Sequence, residues 1–221
     1  MTQNERQERS KEEIYQAALE EFGTYGYDNV NMERICGNHG ISKGMMYHYY
    51  SSKDELFLLC VKRTFQDLTE CVERDMGALE CQDISDKIKN FFLIREYFFQ
   101  LHPKQKLVFE SAMLRPPKHL TEQIQALRAP IRHLNHEFIK SLVDKMPLRP
   151  DLDPDAIIRY LGSIEPFFPN IVANYQDGQT AKDFHAILES VGEVLNIVLF
   201  GMLRQTEQKE FSKFNPASEL K

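Results

Sequence analysis

An all-α chain is what this sequence predicts, on three observations. Apolar residues recur at helical steps through most of the 221 residues. Capping residues and helix stops alternate along the chain, with Ser, Thr, Asn or Asp opening the periodic runs and Gly or Pro closing many of them. No stretch alternates with the period of two that marks a strand, and no internal repeat is present. About nine helices are expected, in a chain long enough to bury a substantial core.

The first helix is expected from Lys11 to about Thr24, opened by the capping box Ser10-Lys11-Glu12-Glu13. Ile14, Ala17, Ala18 and Phe22 form its apolar stripe, and Gly23 and Gly26 bracket its end. Asn31 then N-caps a second helix, with Val30 and Ile35 placed for a hydrophobic staple. Gly40 stands where a helix end wants a left-handed residue, and Ile41 can plug the turn. Ser42 caps a third helix that runs to about Tyr50. Ser52-Lys53-Asp54-Glu55 is a further capping box, opening a fourth helix that reaches about Met76. Its apolar face is Phe57, Val61, Phe65, Leu68, Val72 and Met76. Helix, glycine turn and helix of this size form a helix-turn-helix, whose second helix enters the DNA major groove.

The remainder reads as helices stopped by proline. Asp83 to His102 is apolar nearly all round in its second half, and Pro103 ends it. A shorter helix covers Lys104 to Leu114, closed by Pro116 and Pro117. Lys118 to Lys145 reads as one helix kinked at Pro130. Asp153 and Pro154 open another, expected to reach Tyr175. Thr180 caps the last, whose broad stripe runs from Phe184 to Leu203. The expected division is a head at 1–52, a connecting helix at 53–76, a helical domain at 77–205, and a polar tail at 206–221.

The run GYDNVNMERI followed by HGISKGMMYHYYSSKDEL resembles the N-terminal domain of the tetracycline-repressor (TetR) family. Gly26, Ile35, Gly40, Ser42, Lys43, Gly44, Tyr47, Tyr50, Lys53 and Leu56 carry the likeness, which covers roughly the first quarter of the chain. Asn31, Cys36, His39, Met45 and Tyr50 depart from the usual residues, and Met45 bears on which bases are read. The resemblance implies a homodimeric, ligand-responsive regulator. It would be a repressor on a palindromic double-stranded DNA operator, released by a small-molecule inducer.

The expected DNA contacts are Asn31, Ser42, Lys43, Gly44, Met45, Tyr47, His48 and Lys53. Ser42, Lys43 and Gly44 lie at a helix start, where backbone N–H groups favour phosphate. Gly44 lets the helix approach the groove, Lys43 reaches a base edge or a phosphate, and Tyr47 and His48 offer polar-tipped rings. Asn31 and Lys53 are expected on flanking phosphates. Met46 and Tyr50 belong to the inner face. In the second domain the resemblance implies a small-molecule pocket. Phe91, Arg95, Phe98, Phe109, Glu110, Met113, Phe138, Glu165 and Phe168 are its candidate lining. Phe184, Ile187, Val191, Val194, Leu195, Val198 and Met202 are the expected dimer surface, where two helices per subunit build a four-helix bundle.

Charge runs the other way. The chain carries a formal net charge of −6, and residues 1–53 hold six Lys and Arg against eight Asp and Glu. Yet Asn38 to Lys53 contains no acid. Modest affinity with little salt tolerance is expected. The acidic first helix keeps open a second reading, an interaction module of the same fold that recruits a partner protein. No catalytic constellation, cofactor motif or P-loop is found, so an enzyme is not expected. Cys36, Cys60, Cys71 and Cys81 are widely spaced and read as small apolar core residues, with a redox sensor the sharper alternative. His133 and His136, with His119 nearby, lack a matching ligand set, so no metal is expected. The polar start MTQNERQERSKEE and the lack of a bilayer-length apolar run point to a cytoplasmic chain with no membrane partner.

Overall fold

The computed structural model describes residues 2–78 and 84–164. Among these it contains α-helices and one short 3₁₀ turn, with no strand. The helices are α1 (Gln3–Tyr25), α2 (Met32–His39), α3 (Lys43–Tyr49), α4 (Lys53–Ala78), α5 (Ile84–Leu101), α6 (Pro103–Leu114), α7 (Thr121–Leu127), α8 (Ala129–Val143) and α9 (Pro154–Ile164), with the 3₁₀ turn at Lys118–Leu120. The expected helix past Ile164, the last helix with its dimer surface, and the tail lie outside the described residues.

Helix α1 starts eight residues earlier than expected. Thr2-Gln3-Asn4-Glu5 is also a capping box: the Thr2 hydroxyl accepts from the Glu5 N–H and the Glu5 carboxylate accepts from the Thr2 N–H. Ser10 is therefore an interior helical residue. Where two boxes lie in one polar run, the outer one extends the helix, because every interior N–H then finds an acceptor. The Lys118–Lys145 segment is interrupted where a single kinked helix was expected. Helix α7 ends at Leu127 and α8 restarts at Ala129, which puts Pro130 in the first turn of α8. Its missing N–H is then one that would have no intrahelical partner anyway.

The contacts divide the chain into two compact units, one of residues 1–81 and 90–134, the other of 82–89 and 135–221. In the first, the head packs on α4 and α6, and α7 packs on α4. Its core is Ile14, Phe22, Ile35, Met46, Phe57 and Phe65, all at most 1% exposed. Phe22, Tyr27 and Phe57 pack edge and face, with Phe22–Phe57 and Tyr27–Phe57 ring centroids 5.2 and 5.0 Å apart. In the second unit Val143, Ile157, Ile158 and Leu161 form a small buried cluster, packed by Ile139, Leu148 and Leu152.

Helix α1 lies very close to α6. A Cβ built on Gly23 would fall 2.8 Å from both the Cβ and the carbonyl oxygen of Lys104, and 2.9 Å from its Cα. Lys104 also ties α6 to α1 through its ammonium, 2.8 Å from Glu20 and 2.6 Å from the Thr24 hydroxyl, which accepts from it. Gln105, buried one residue on, donates to Asp67 of α4 at 2.6 Å. The start of α6 thus grips both α1 and α4.

Candidate nucleic-acid interface

The helix-turn-helix is set by its caps. The Asn31 side chain accepts from the Arg34 N–H at 2.8 Å, and the Ser42 hydroxyl accepts from the Met45 N–H at 3.1 Å. Gly40 closes α2 at φ 66°, a conformation that favours glycine. Ile41 is buried in the turn, and Met46 is wholly buried beneath α3. With Met46 inward, the opposite side of α3 faces out: Ser42, Lys43, Gly44, Tyr47 and His48 are exposed, and Tyr47 retains 52% of its surface. Met45 is half-buried beside them. A Cβ at Gly44 would meet nothing within 4 Å. No intramolecular packing calls for glycine there, although a helical glycine costs about 0.5–1 kcal/mol relative to alanine. The His48 ring lies edge-on to Tyr49, centroids 4.7 Å apart.

Besides the capping residues Asn31 and Ser42, two more of the expected contact residues have partners within the protein. Lys53 donates to the carbonyl oxygens of Tyr27 and Val30 at 3.1 and 3.2 Å, and its ammonium lies 4.1 Å from the Tyr27 ring centroid. It therefore anchors the loop that leads into α2. Lys53→Met is expected to keep the aliphatic stem, strand two carbonyls and cost about 1 kcal/mol in urea unfolding. A phosphate contact alone would instead leave stability unchanged and lower the salt slope of DNA binding by about one. Lys43 sits 3.2 Å from the Glu33 carboxylate of α2, both side chains well exposed.

Glu21 was not legible as a site residue. It is 3% exposed, yet it gathers two donors from α2, Arg34 at 2.6 Å and Asn38 at 2.7 Å, with the His39 ring nitrogen 3.3 Å away. Burial pushes its carboxyl up, but hydrogen bonds from Asn38 and Arg34, with the Arg34 charge, outweigh that and hold it below its ordinary value. Three of the other acids of α1 are also paired: Glu8 with Lys11, Glu12 with Arg63, Glu20 with Lys104. Arg63 and Lys104 come from α4 and α6, outside the stretch whose charge was counted. Much of the acidity of α1 is thus compensated by ion pairs formed within the fold.

A second polar cluster joins the head to the start of α4. The Tyr27 hydroxyl donates to Asp54, and the His119 ring nitrogen lies 2.9 Å from Asp54 and 3.2 Å from the Tyr27 hydroxyl. Burial and the Asp54 carboxylate push the Tyr27 phenol up. Burial raises the Asp54 carboxyl, while the Tyr27 and His119 contacts bring it below its ordinary value.

Of the expected pocket residues in the first unit, Phe91, Arg95 and Phe98 are buried, and Phe109, Glu110 and Met113 are half-buried. Phe109 packs on Phe65 of α4 and Phe99 of α5, centroids 5.7 and 4.8 Å apart. Arg95 folds over the Phe91 ring and donates to the Phe91 carbonyl. Burial raises the Glu110 carboxyl against the opposing pull of Lys106. Phe138 is half-buried in the second unit. Glu165 and Phe168 lie outside the described residues, as do Phe184, Ile187, Val191, Val194, Leu195, Val198 and Met202. Cys36, Cys60 and Cys71 are buried free thiols, and burial raises the Cys60 thiol. His133 and His136 are exposed on α8. No helix among the described residues is long and apolar enough to cross a membrane.

Residues 14–60 match the family described as bacterial regulatory proteins, tetR family. Over 60 residues the chain is 37% identical to the HTH-type transcriptional repressor AcnR of Corynebacterium jeikeium, covering 27% of this chain and 32% of that protein. Over 73 residues it is 32% identical to the HTH-type transcriptional repressor SCO4008 of Streptomyces coelicolor, covering 33% and 38%. The chain thus spans about a third of the length of these curated relatives. A solved structure of the fatty acid degradation regulator FadR from Bacillus halodurans superimposes with a TM-score of 0.62 at 15% identity, over 86% of this chain and 94% of that one. At that identity the likeness is one of fold, and it extends the all-helical plan well beyond the head. Caps, turn, outward face and family match converge on one assignment: residues 14–60 form a helix-turn-helix head similar to that of the bacterial regulatory proteins, tetR family.

Proposed function

We propose that the protein is a ligand-responsive transcriptional regulator, a repressor that binds a palindromic operator as a homodimer in the cytoplasm and is released by a small-molecule inducer. The observation that carries the reading is the outward face of α3. Lys43, Gly44, Tyr47 and His48 are exposed on a helix whose other side is locked by Met46. Two repressors among the relatives support the sign of regulation. The internal pairing of the α1 acids weakens the case for an acidic partner-binding module.

The grip of α6 on α1 and α4 supplies the route for release. Phe109 and Glu110 sit on the helix whose first turn touches Gly23, so a ligand that displaces α6 moves α1 with it. DNA and inducer would then favour different head positions, which is a coupling between two sites. The ligand site is proposed around Phe99, Phe109, Glu110 and Met113.

Tyr47→Ala tests the DNA-binding face. Its half-exposed ring makes folding insensitive to truncation. Affinity for a duplex selected by the wild-type chain is expected to fall by roughly tenfold or more, at unchanged mass in solution. Unchanged affinity in an anisotropy titration would remove α3 from the recognition role.

A further inference from the structure

We infer that Glu33 and Lys43 act together as a reader of one G·C base pair in each half-site, an assignment that rests on α3 facing the major groove. Glu33 is the second residue of α2 and Lys43 the first of α3. They are ten residues apart in sequence, but the Gly40 turn brings the carboxylate and the ammonium to 3.2 Å. Both side chains are about two-thirds exposed, at 68% and 64%. The next exposed ring on the same side is Tyr47, one helical turn beyond Lys43.

An ion pair this exposed contributes little to the fold. Its two members also have opposite hydrogen-bonding capacity: the ammonium only donates and the carboxylate only accepts. The major-groove edge of a G·C pair presents the matching pattern. Guanine offers two acceptors, O6 and N7, and cytosine offers the N4 amino donor beside O6. Those neighbouring base atoms are themselves about 3 Å apart, because they share a Watson–Crick hydrogen bond. A donor and an acceptor held at 3.2 Å can therefore address both bases without separating. Lys43 donates to guanine and Glu33 accepts from cytosine. The contact leaves no charge unpaired, and it places an acid at the DNA surface without opposing a phosphate. An A·T pair lacks the doubled acceptor for the ammonium, because adenine sets a donor next to N7.

The experiment uses the full chain and a duplex selected by it from a random pool. Each base pair of one half-site is substituted in turn, and binding is followed by anisotropy. Wild type should lose roughly tenfold or more at one G·C pair when it is changed to A·T. In Glu33→Ala and in Lys43→Ala that penalty should shrink to within about twofold, at the same base pair, while the penalties elsewhere persist. The inference is overturned if Glu33→Ala tightens binding to every duplex with all preferences intact, for then the carboxylate only repels phosphate. It is equally overturned if the two variants relax different base pairs, or if the shared pair is A·T. A wild-type chain that does not distinguish selected from scrambled duplex would overturn the groove-facing assignment itself, a separate outcome.

Discussion

Gly23→Ala is expected to destabilise the protein and to disturb the seat of the head on α6. Two effects compete. Alanine is the better helix former, a gain of at most about 1 kcal/mol near the end of α1. Against it, the new Cβ would fall 2.8–2.9 Å from Lys104 atoms that include its Cα and carbonyl oxygen. Backbone cannot rotate away as a side-chain tip can, so α1 and α6 must separate. Overpacking of this kind costs about 1–3 kcal/mol. The net sign is therefore a loss, read as a melting temperature lower by about 2–4 °C per kcal/mol for a chain of this length. The separation also loosens the Lys104 contacts with Glu20 and Thr24. DNA affinity should fall with stability. An unchanged melting temperature would show that the seam yields without cost.

Glu21→Gln is expected to be the second severe change. The carboxylate accepts from Arg34 and Asn38 and lies close to the His39 ring, so it joins α1 to both ends of α2. A glutamine has one acceptor oxygen where two are used, and its amide turns a donor toward other donors. Because Arg34 remains partly exposed and can regain water, the loss is expected at about 1–3 kcal/mol, below that of a wholly buried pair. The pH dependence has a fixed sign. The folded carboxyl lies below its ordinary value of 4.5, so its stabilisation is present in full above that pH. It is lost as pH falls through the folded value. Urea unfolding of wild type and Glu21→Gln should therefore differ by a constant amount near neutrality and converge in acid. A gap that widens on acidification would contradict the pairing.

Local signals were legible in the sequence, and long-range ones were not. Asn31, Gly40 and Ser42 act through bonds that span three to five residues, so their roles could be read directly and the structure places them as expected. The same local logic misplaced the start of α1, because Ser10 and Thr2 both open a capping box and only the outer one is used. Pro130 was visible as a disruption, but not whether the chain would bend or restart. What spacing cannot show is which helices touch. Glu21 reads as one more acid of a charged helix until Arg34 and Asn38 close on it. Lys53 reads as a free cation until the carbonyls of Tyr27 and Val30 are found beneath it. Gly23 reads as a helix stop until Lys104 is found against it, eighty-one positions away. The same gap explains the charge: −2 for residues 1–53 ignored Arg63 and Lys104, which lie on other helices and pair with Glu12 and Glu20.

Selection of duplexes from a random pool by the wild-type chain, followed by sequencing, tests the role of α3 most directly. A homodimer presenting two copies of α3 should enrich an inverted repeat, with half-sites about one helical turn or slightly more apart. Tyr47→Ala carried through the same selection should enrich it weakly or not at all. A wild-type pool that emerges with the composition of the input, at salt low enough for binding, would contradict sequence recognition by this head.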